Sequence, residues 1–287
     1  MKETIFVSFS GGRTSAYMSW YLINYWGHKY DFIFVFANTG LEAEGTLEFV
    51  DRCDKEWGLN LVWLEAKVNP VKGAEIEFNI VSFESASREG EPFEEVIAKF
   101  GIPNSSRPFC TQYLKTYVIN AYKASIGYKR KHPTAIGIRA DEFDRMNLGQ
   151  LEAGETIYPL IKMKHTTKDD VMMFFDDNNF DLSINDAYEG NCIGCYKFSD
   201  RHLMTQAKHI KGAFDFHTRM ERKYGHIGAK DGDPFRFYRG NKTAADIIAS
   251  SKYPFKEFDQ RITEFQQSLD IDPLDVLDDC GASCEAF

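Results

Sequence analysis

Apolar runs and amphipathic stretches alternate through the first half of the chain. Thr4 to Val7 is a short apolar run that predicts a buried strand, and Ala16 to Trp26 predicts a helix. Asp31 to Ala37 is continuously apolar, as expected of a parallel strand covered on both faces. Asn38-Thr39-Gly40 ends it. From Glu44 to Trp57 the residues Leu47, Val50, Cys53 and Trp57 fall at helical spacing, and Gly58 is placed to cap that helix. Leu59 to Leu64 predicts the next strand. Val68 to Pro108 is less regular, with a loop-like Ser82 to Pro92 and a short helix from Pro92 to Lys99. Thr111 to Ile126 predicts a helix with Leu114, Val118, Ala121 and Tyr122 on one face, and Pro133 to Ile138 a strand. Repeated strand-helix units imply an α/β fold with an open, mostly parallel sheet and right-handed crossovers.

Beyond Pro159 strand signals become few. Thr166 and Thr167 with Asp169 and Asp170 mark a helix start, and the helix runs to about Asn178. Arg201 to Lys211, Phe214 to Tyr224 and Thr243 to Ser250 are further helices. A boundary near residue 165 therefore divides a strand-containing region, 1–165, from a helical region, 166–287. Hydrophobic content of 43% and aromatic content of 15% fit a folded chain of 287 residues with a sizeable core. The net charge of −9 argues against a broad nucleic-acid surface. No apolar run approaches the roughly 20 residues that span a bilayer. The first residues carry a loop where a secretory leader would have its cleavage site, so a cytoplasmic location is expected.

Candidate chemistry begins at Ser8-Phe9-Ser10-Gly11-Gly12-Arg13-Thr14-Ser15, between the first strand and the first helix. A glycine turn at a helix start is an anion site, because backbone N–H groups and the positive end of the helix face the same point. Ser10, Thr14 and Ser15 add hydroxyls and Arg13 a fixed charge. No Gly-Lys-Ser/Thr follows at the offset of a Walker loop. Ligands of open α/β sheets lie at the carboxyl ends of strands. Three polar clusters sit at such ends: Ser10 to Ser15, Asn38-Thr39-Gly40, and Arg139 to Arg145 after Gly137-Ile138. Arg139 and Arg145 suit phosphate or sulfate oxygens, and Asp141 and Glu142 suit Mg²⁺. Asp141, Glu142 and Asp144 read equally well as a solvated acidic turn.

The pattern S-G-G-x-x-S resembles the pyrophosphate-binding PP-loop of the ATP pyrophosphatases. The segments SFSGGRTS, ANTG, RPFCTQYLK, GIRADE and GNCIGC occur in the order expected of the phosphoadenosine phosphosulfate (PAPS) reductase-like branch of that family. The resemblance covers most of the chain. It implies an adenine-nucleotide α-hydrolase-like fold, a doubly wound parallel sheet, and binding of ATP, adenylylsulfate or PAPS. It implies that Ser8, Ser10, Gly11, Gly12, Arg13, Thr14 and Ser15 cradle phosphates, that Asn38, Thr39 and Gly40 line the nucleotide pocket, and that Gly137 and Arg139 meet the anion. Arg13 and Arg139 then carry electrostatic catalysis. Members that reduce PAPS or adenylylsulfate usually have a degraded loop, whereas this loop is full, which points to an ATP user that releases pyrophosphate. Position 13 is Arg where many ATP-cleaving members have Lys.

Six cysteines form the second signal. Cys53 falls on an apolar helix stripe and reads as core. Cys192-Ile193-Gly194-Cys195 is a C-x-x-C turn, Cys110 immediately precedes a helix, and Cys280 and Cys284 lie near the end. Such a set can hold Zn²⁺ or an iron–sulfur cluster, or be thiols that bind nothing, and the helix start with Lys115 or Lys197 favours thiolates. Adenylylsulfate reductases resemble this pattern in their 4Fe-4S site, although position 109 is Phe where they carry a second Cys. The expected ligands are Cys110, Cys192, Cys195 and Cys284, or an open fourth site able to pass sulfide to an activated substrate. Cys280, in Asp279-Cys280-Gly281, is the candidate nucleophile of the reductase version. His165, His202, His209, His217 and His226 are expected at the surface. Arg219, Arg222, Lys223, Arg236, Arg239 and Lys242 among aromatic residues suit either a single-stranded nucleic acid such as a tRNA end or plain solvated helix faces. The sequence thus supports three functions. They are ATP-dependent adenylation coupled to sulfur or electron transfer, thiol-dependent sulfite release from PAPS or adenylylsulfate, and a zinc-stabilised nucleotide-binding module that assembles with a partner. The acceptor, tRNA or DNA included, and homo-oligomer formation stay open.

Overall fold

A computed structural model describes residues 2–71, 73–190, 192–229 and 234–259. Cys280 and Cys284 lie outside the described residues. In chain order the elements are β1 (Glu3–Phe9), α1 (Arg13–Trp26), β2 (Tyr30–Asn38), α2 (Glu44–Trp57), β3 (Val62–Val68), β4 (Ile76–Val81) and α3 (Glu91–Phe100). A π-helical turn, Gln112–Thr116, leads into α4 (Tyr117–Ser125), followed by β5 (Thr134–Ile136), α5 (Leu148–Glu152), β6 (Thr156–Ile157) and α6 (Pro159–Lys162). Then come α7 (Lys168–Asp176), α8 (Asp200–His209), α9 (Asp215–Tyr224) and α10 (Ala244–Ser250).

The six strands form one sheet in the order β4-β3-β2-β1-β5-β6. Only the β3–β4 pair is antiparallel. Alternation along each strand splits the core in two. Phe6, Val35, Ala37, Leu64 and Ala66 face a layer that includes Val96, Ile97, Leu114 and Val118. Ile5, Val7, Phe9, Phe34, Phe36 and Trp63 face α1, α2 and Phe175 of α7. The first layer continues into Phe198, Leu203, Phe214, Met220, Phe237 and Ile247, so residues on both sides of position 165 share one apolar cluster. Helices on both faces fit a doubly wound arrangement. After β1 the sheet grows outward through β2 and β3, then resumes on the other side with β5. The switch falls between β1 and β5, where such sheets place ligands.

Three differences from the sequence reading have physical causes. Ile76–Val81 is a strand inside the stretch read as irregular. It is an edge strand with exposed residues, so its apolar signal is diluted, and a Lys67–Glu77 ion pair at 2.9 Å joins it to β3. The helix expected over Thr111 to Ile126 opens with the π-helical turn, which sequence periodicity does not reveal. Residues 156–157 pair with β5 as a two-residue strand, too short for any period. The capping box at Thr167 and Asp170 starts α7 as the sequence implies.

Candidate functional site

The turn after β1 is held by its own hydroxyls. Ser15 Oγ accepts from Ser10 N at 3.1 Å and Ser10 Oγ at 3.0 Å, and donates to Gly12 O at 2.9 Å. Gly11 has φ +90°, and a Cβ there would stand 2.6 Å from Thr46 Cγ2 of α2, so only glycine fits both the backbone and the space. Gly12 caps α1 without any side-chain bond to its first turn. The leading N–H groups of a helix have no intrahelical acceptors, so this end keeps its donors and its partial positive charge.

Across the switch point, Arg139 Nη1 donates to Thr14 Oγ1 at 3.0 Å. That bond joins the end of β5 to the first turn of α1. Arg139 also pairs with Asp141 at 3.1 Å, and Arg145 with Glu142 at 2.6 Å. The basic and acidic residues expected to bind phosphate and Mg²⁺ are thus knitted together. Arg13 turns to Asp181 and Asp186, with Nε–Oδ1 at 2.7 Å and Nη1–Oδ1 at 2.8 Å. Burial pulls its pKa down, but the two carboxylates more than offset this and hold it above its ordinary value.

Asn38 serves the sheet. Its amide donates to Glu65 Oε1 at 2.6 Å and to Ser87 O at 2.9 Å, while Oδ1 accepts from Gly40 N at 3.2 Å. Thr39 donates N–H and hydroxyl to buried Glu42, at 3.0 and 2.9 Å. Burial raises the Glu42 pKa, and the Lys115 ammonium partly opposes that rise. Of the ANTG segment, Thr39 therefore faces the cysteines: its Oγ1 lies 3.9 Å from Cys192 Sγ.

Cys110, Cys192 and Cys195 line one pocket of about 460 Å³ together with Thr39, Lys115, Tyr196 and His217. Cys110 Sγ lies 3.1 Å from Tyr196 Oη. Lys115, itself buried, also lines a cavity of about 200 Å³ beside Ser8 and Ser10. It stands between the loop after β1 and the thiols. Among the described residues, no three His, Cys, Asp or Glu side chains stand in metal-holding geometry. Donor type and convergence on one pocket fit a thiolate-bound metal or cluster. Cys53 is core, and burial raises its thiol pKa far above the ordinary range.

The histidines correct one expectation. His202 and His217 are buried, not at the surface. His202 stacks between Phe198 and Phe258 at 4.0 and 4.1 Å. His217 is enclosed by Phe214, Phe216, Phe237 and Tyr238, and burial lowers its pKa to about 3 against a small opposing effect of the Ala213 backbone. No single-sequence signal separated it from the exposed histidines. In the basic stretch, Phe237 and Tyr238 are core, Lys223 pairs with Glu94, and Lys242 pairs with Asp200. A further cavity of about 470 Å³, lined by Lys123, His132 and Thr134, sits toward the other end of β5.

Among the described residues no helix is long and apolar enough to cross a membrane. No family model matches the chain. It is 29% identical over 285 residues to an uncharacterized nin region protein, ORF290, of Escherichia phage lambda, covering 98% of this chain and 94% of that protein. It is 28% identical over 197 residues to the uncharacterized protein MJ0973 of Methanocaldococcus jannaschii, covering 66% of this chain and 40% of that protein.

Proposed function

We propose that this chain is a PP-loop enzyme of the PAPS reductase-like branch. It binds ATP at the β1–β5 switch point, adenylates an acceptor and releases pyrophosphate, next to a thiol pocket used for sulfur or electron transfer. One observation carries the reading: the Ser10–Ser15 loop and Arg139 meet across the switch point, and Lys115 lines both the cavity beside that loop and the thiol pocket. An acceptor atom attacks the α-phosphorus, the bond to the bridging oxygen of the β-phosphate breaks, and pyrophosphate leaves. Charge grows on the leaving oxygens. The free N–H groups at the start of α1 and the Arg139 guanidinium stabilise it without reorganising at that moment. Arg139 reaches a phosphate by exchanging Asp141 for it, which releases a hard carboxylate beside Glu142. Asp141 and Glu142 would then hold Mg²⁺, which neutralises triphosphate charge. Cys110, Cys192 and Cys195 would hold the iron–sulfur cluster or zinc ion, the cluster supplying sulfur or electron transfer.

The test offers ATP and PAPS to protein purified without oxygen. Pyrophosphate from ATP, lost in the Ser10→Ala/Gly12→Ala variant, supports the proposal. Sulfite from PAPS with no pyrophosphate from ATP replaces it with the reductase reading. Nucleotide binding with neither product makes the chain a binding module.

A further inference from the structure

We propose that the groove between α4 and the β5–β6 edge is a second ligand site, which takes a small organic carboxylate with its charge on Lys123; it stands independently of the function proposed above. The cavity there has a volume of about 470 Å³. Ile119, Asn120 and Lys123 of α4 form one wall. Thr134 of β5, Gln150 of α5 and Thr156 of β6 form the other. Lys123 is only 3% exposed. Its ammonium donates to His132 O at 3.0 Å and Thr134 Oγ1 at 2.5 Å, and lies 5.2 Å from the centre of the Phe6 ring. Both oxygens and the ring are uncharged. An ammonium carries three donors, and a buried cation without a counter-charge is costly to keep. Burial accordingly lowers its pKa to about 8, with Glu155 opposing.

The other charged groups around the cavity are already matched. Glu155 is held by Lys131 at 2.8 Å, Arg130 by Glu75, and His132 turns its Nε2 to Thr4 O at 2.8 Å. Among the described residues no carboxylate pairs with Lys123, so the charge left over in the groove is its own. Further donors stand beside it. Among the described residues the Asn120 amide has no hydrogen-bond partner. Gln150 accepts from Thr156 Oγ1 at 3.0 Å through Oε1, which leaves its amide N–H groups for a ligand. One positive charge with several N–H donors matches a carboxylate, a monoanion with two acceptor oxygens, better than a phosphate dianion. Ile119 and Ile136 offer apolar surface to a short carbon body. Ser8 and Ile119 also line the cavity of about 200 Å³ beside Ser10. The groove thus adjoins the loop after β1, but its donors are its own.

The test titrates full-length protein at constant ionic strength with acetate, butyrate, benzoate and inorganic phosphate. Binding is read by calorimetry and by the magnetic resonance signal of isotope-labelled lysine ammonium groups. The proposal expects saturable binding of butyrate or benzoate, tighter than that of acetate, with the Lys123 signal shifted. Affinity should fall as the pH rises above about 8, where the ammonium gives up its proton. Lys123→Met should abolish binding, and Asn120→Ala/Gln150→Ala, at half-buried positions, should weaken it about tenfold. If Lys123→Met does not fold, the double variant decides. Phosphate bound more tightly than any carboxylate overturns the ligand class. No saturable binding, or binding that both variants leave unchanged, overturns the site and makes Lys123 a tie between α4 and β5. Butyrate binding lost in Ser10→Ala/Gly12→Ala would put the carboxylate at the loop after β1 and overturn the proposal too. Binding kept in that variant supports it, whatever the pyrophosphate test shows.

Discussion

Single residues set the tolerances of the loop after β1. Gly11→Ala must both strain a positive φ and push Thr46 aside. It should cost roughly 1–3 kcal/mol of stability and abolish nucleotide binding, read by denaturant unfolding and by calorimetric titration of ATP. Lys123 gives a separate prediction, at the cavity near the far end of β5. Its ammonium is buried, donating to His132 O at 3.0 Å and Thr134 Oγ1 at 2.5 Å. Burial pushes its pKa down from 10.5 to about 8, with Glu155 opposing. Below pH 8 the folded and unfolded forms are both protonated and the penalty is constant. Between about 8 and 10.5 only the unfolded form keeps its proton, so stability rises with pH. Across that window the unfolding free energy of the parent, minus that of Lys123→Met, should climb by up to about 3 kcal/mol. A difference that stays flat with pH would rule the buried ammonium out.

At the scale of elements, the ion pairs of Arg13 matter most. They bind the start of α1 to the segment at Asp181 and Asp186 that leads into the C-x-x-C turn. On the proposed function, a polyphosphate entering the loop would compete with those carboxylates for the guanidinium. Asp181→Asn/Asp186→Asn is therefore expected to bind ATP several-fold more tightly than the parent while losing some thermal stability; weaker binding would mean that Arg13 faces away from the nucleotide in every state. The capped helix α7 supplies a control, since Thr167→Ala should cost about 1 kcal/mol without touching nucleotide affinity. The elements most legible in the sequence were those with long periods or clear punctuation. The helix from Glu44 to Trp57 stops at Gly58, whose φ of 61° is the left-handed cap that its position implies. The loop after β1 was legible for the same reason, because glycines and hydroxyls there answer to local geometry. What the sequence did not show was long-range. Asp181 and Asp186 are 168 and 173 residues from Arg13, and nothing local marks them as its partners. His217 differs from an exposed histidine only by what packs around it, and β4 hides its pattern because one face meets solvent.

For the molecule as a whole, the apolar layer that joins β1 to β3 with α3 and α4 is closed by residues from Tyr196 to Ile247. A chain cut at residue 165 keeps all six strands but loses this cover. It is expected to bind a hydrophobic dye and to unfold without a cooperative transition. Cooperative unfolding of that fragment would show that the first part folds alone. The same arrangement has a consequence for how the protein is made. Synthesis runs from the N-terminus at about 5–20 residues per second, so the last strand leaves the ribosome roughly 5–20 s before the helices that seal the layer. During that interval the nascent chain presents an uncovered apolar surface, a natural place for a chaperone to wait. The thiols are divided across the same gap: Cys110 emerges early, Cys192 and Cys195 later, and His217 later still. The pocket closes only after Phe237 has emerged, so whatever enters it meets a chain that already carries all six strands.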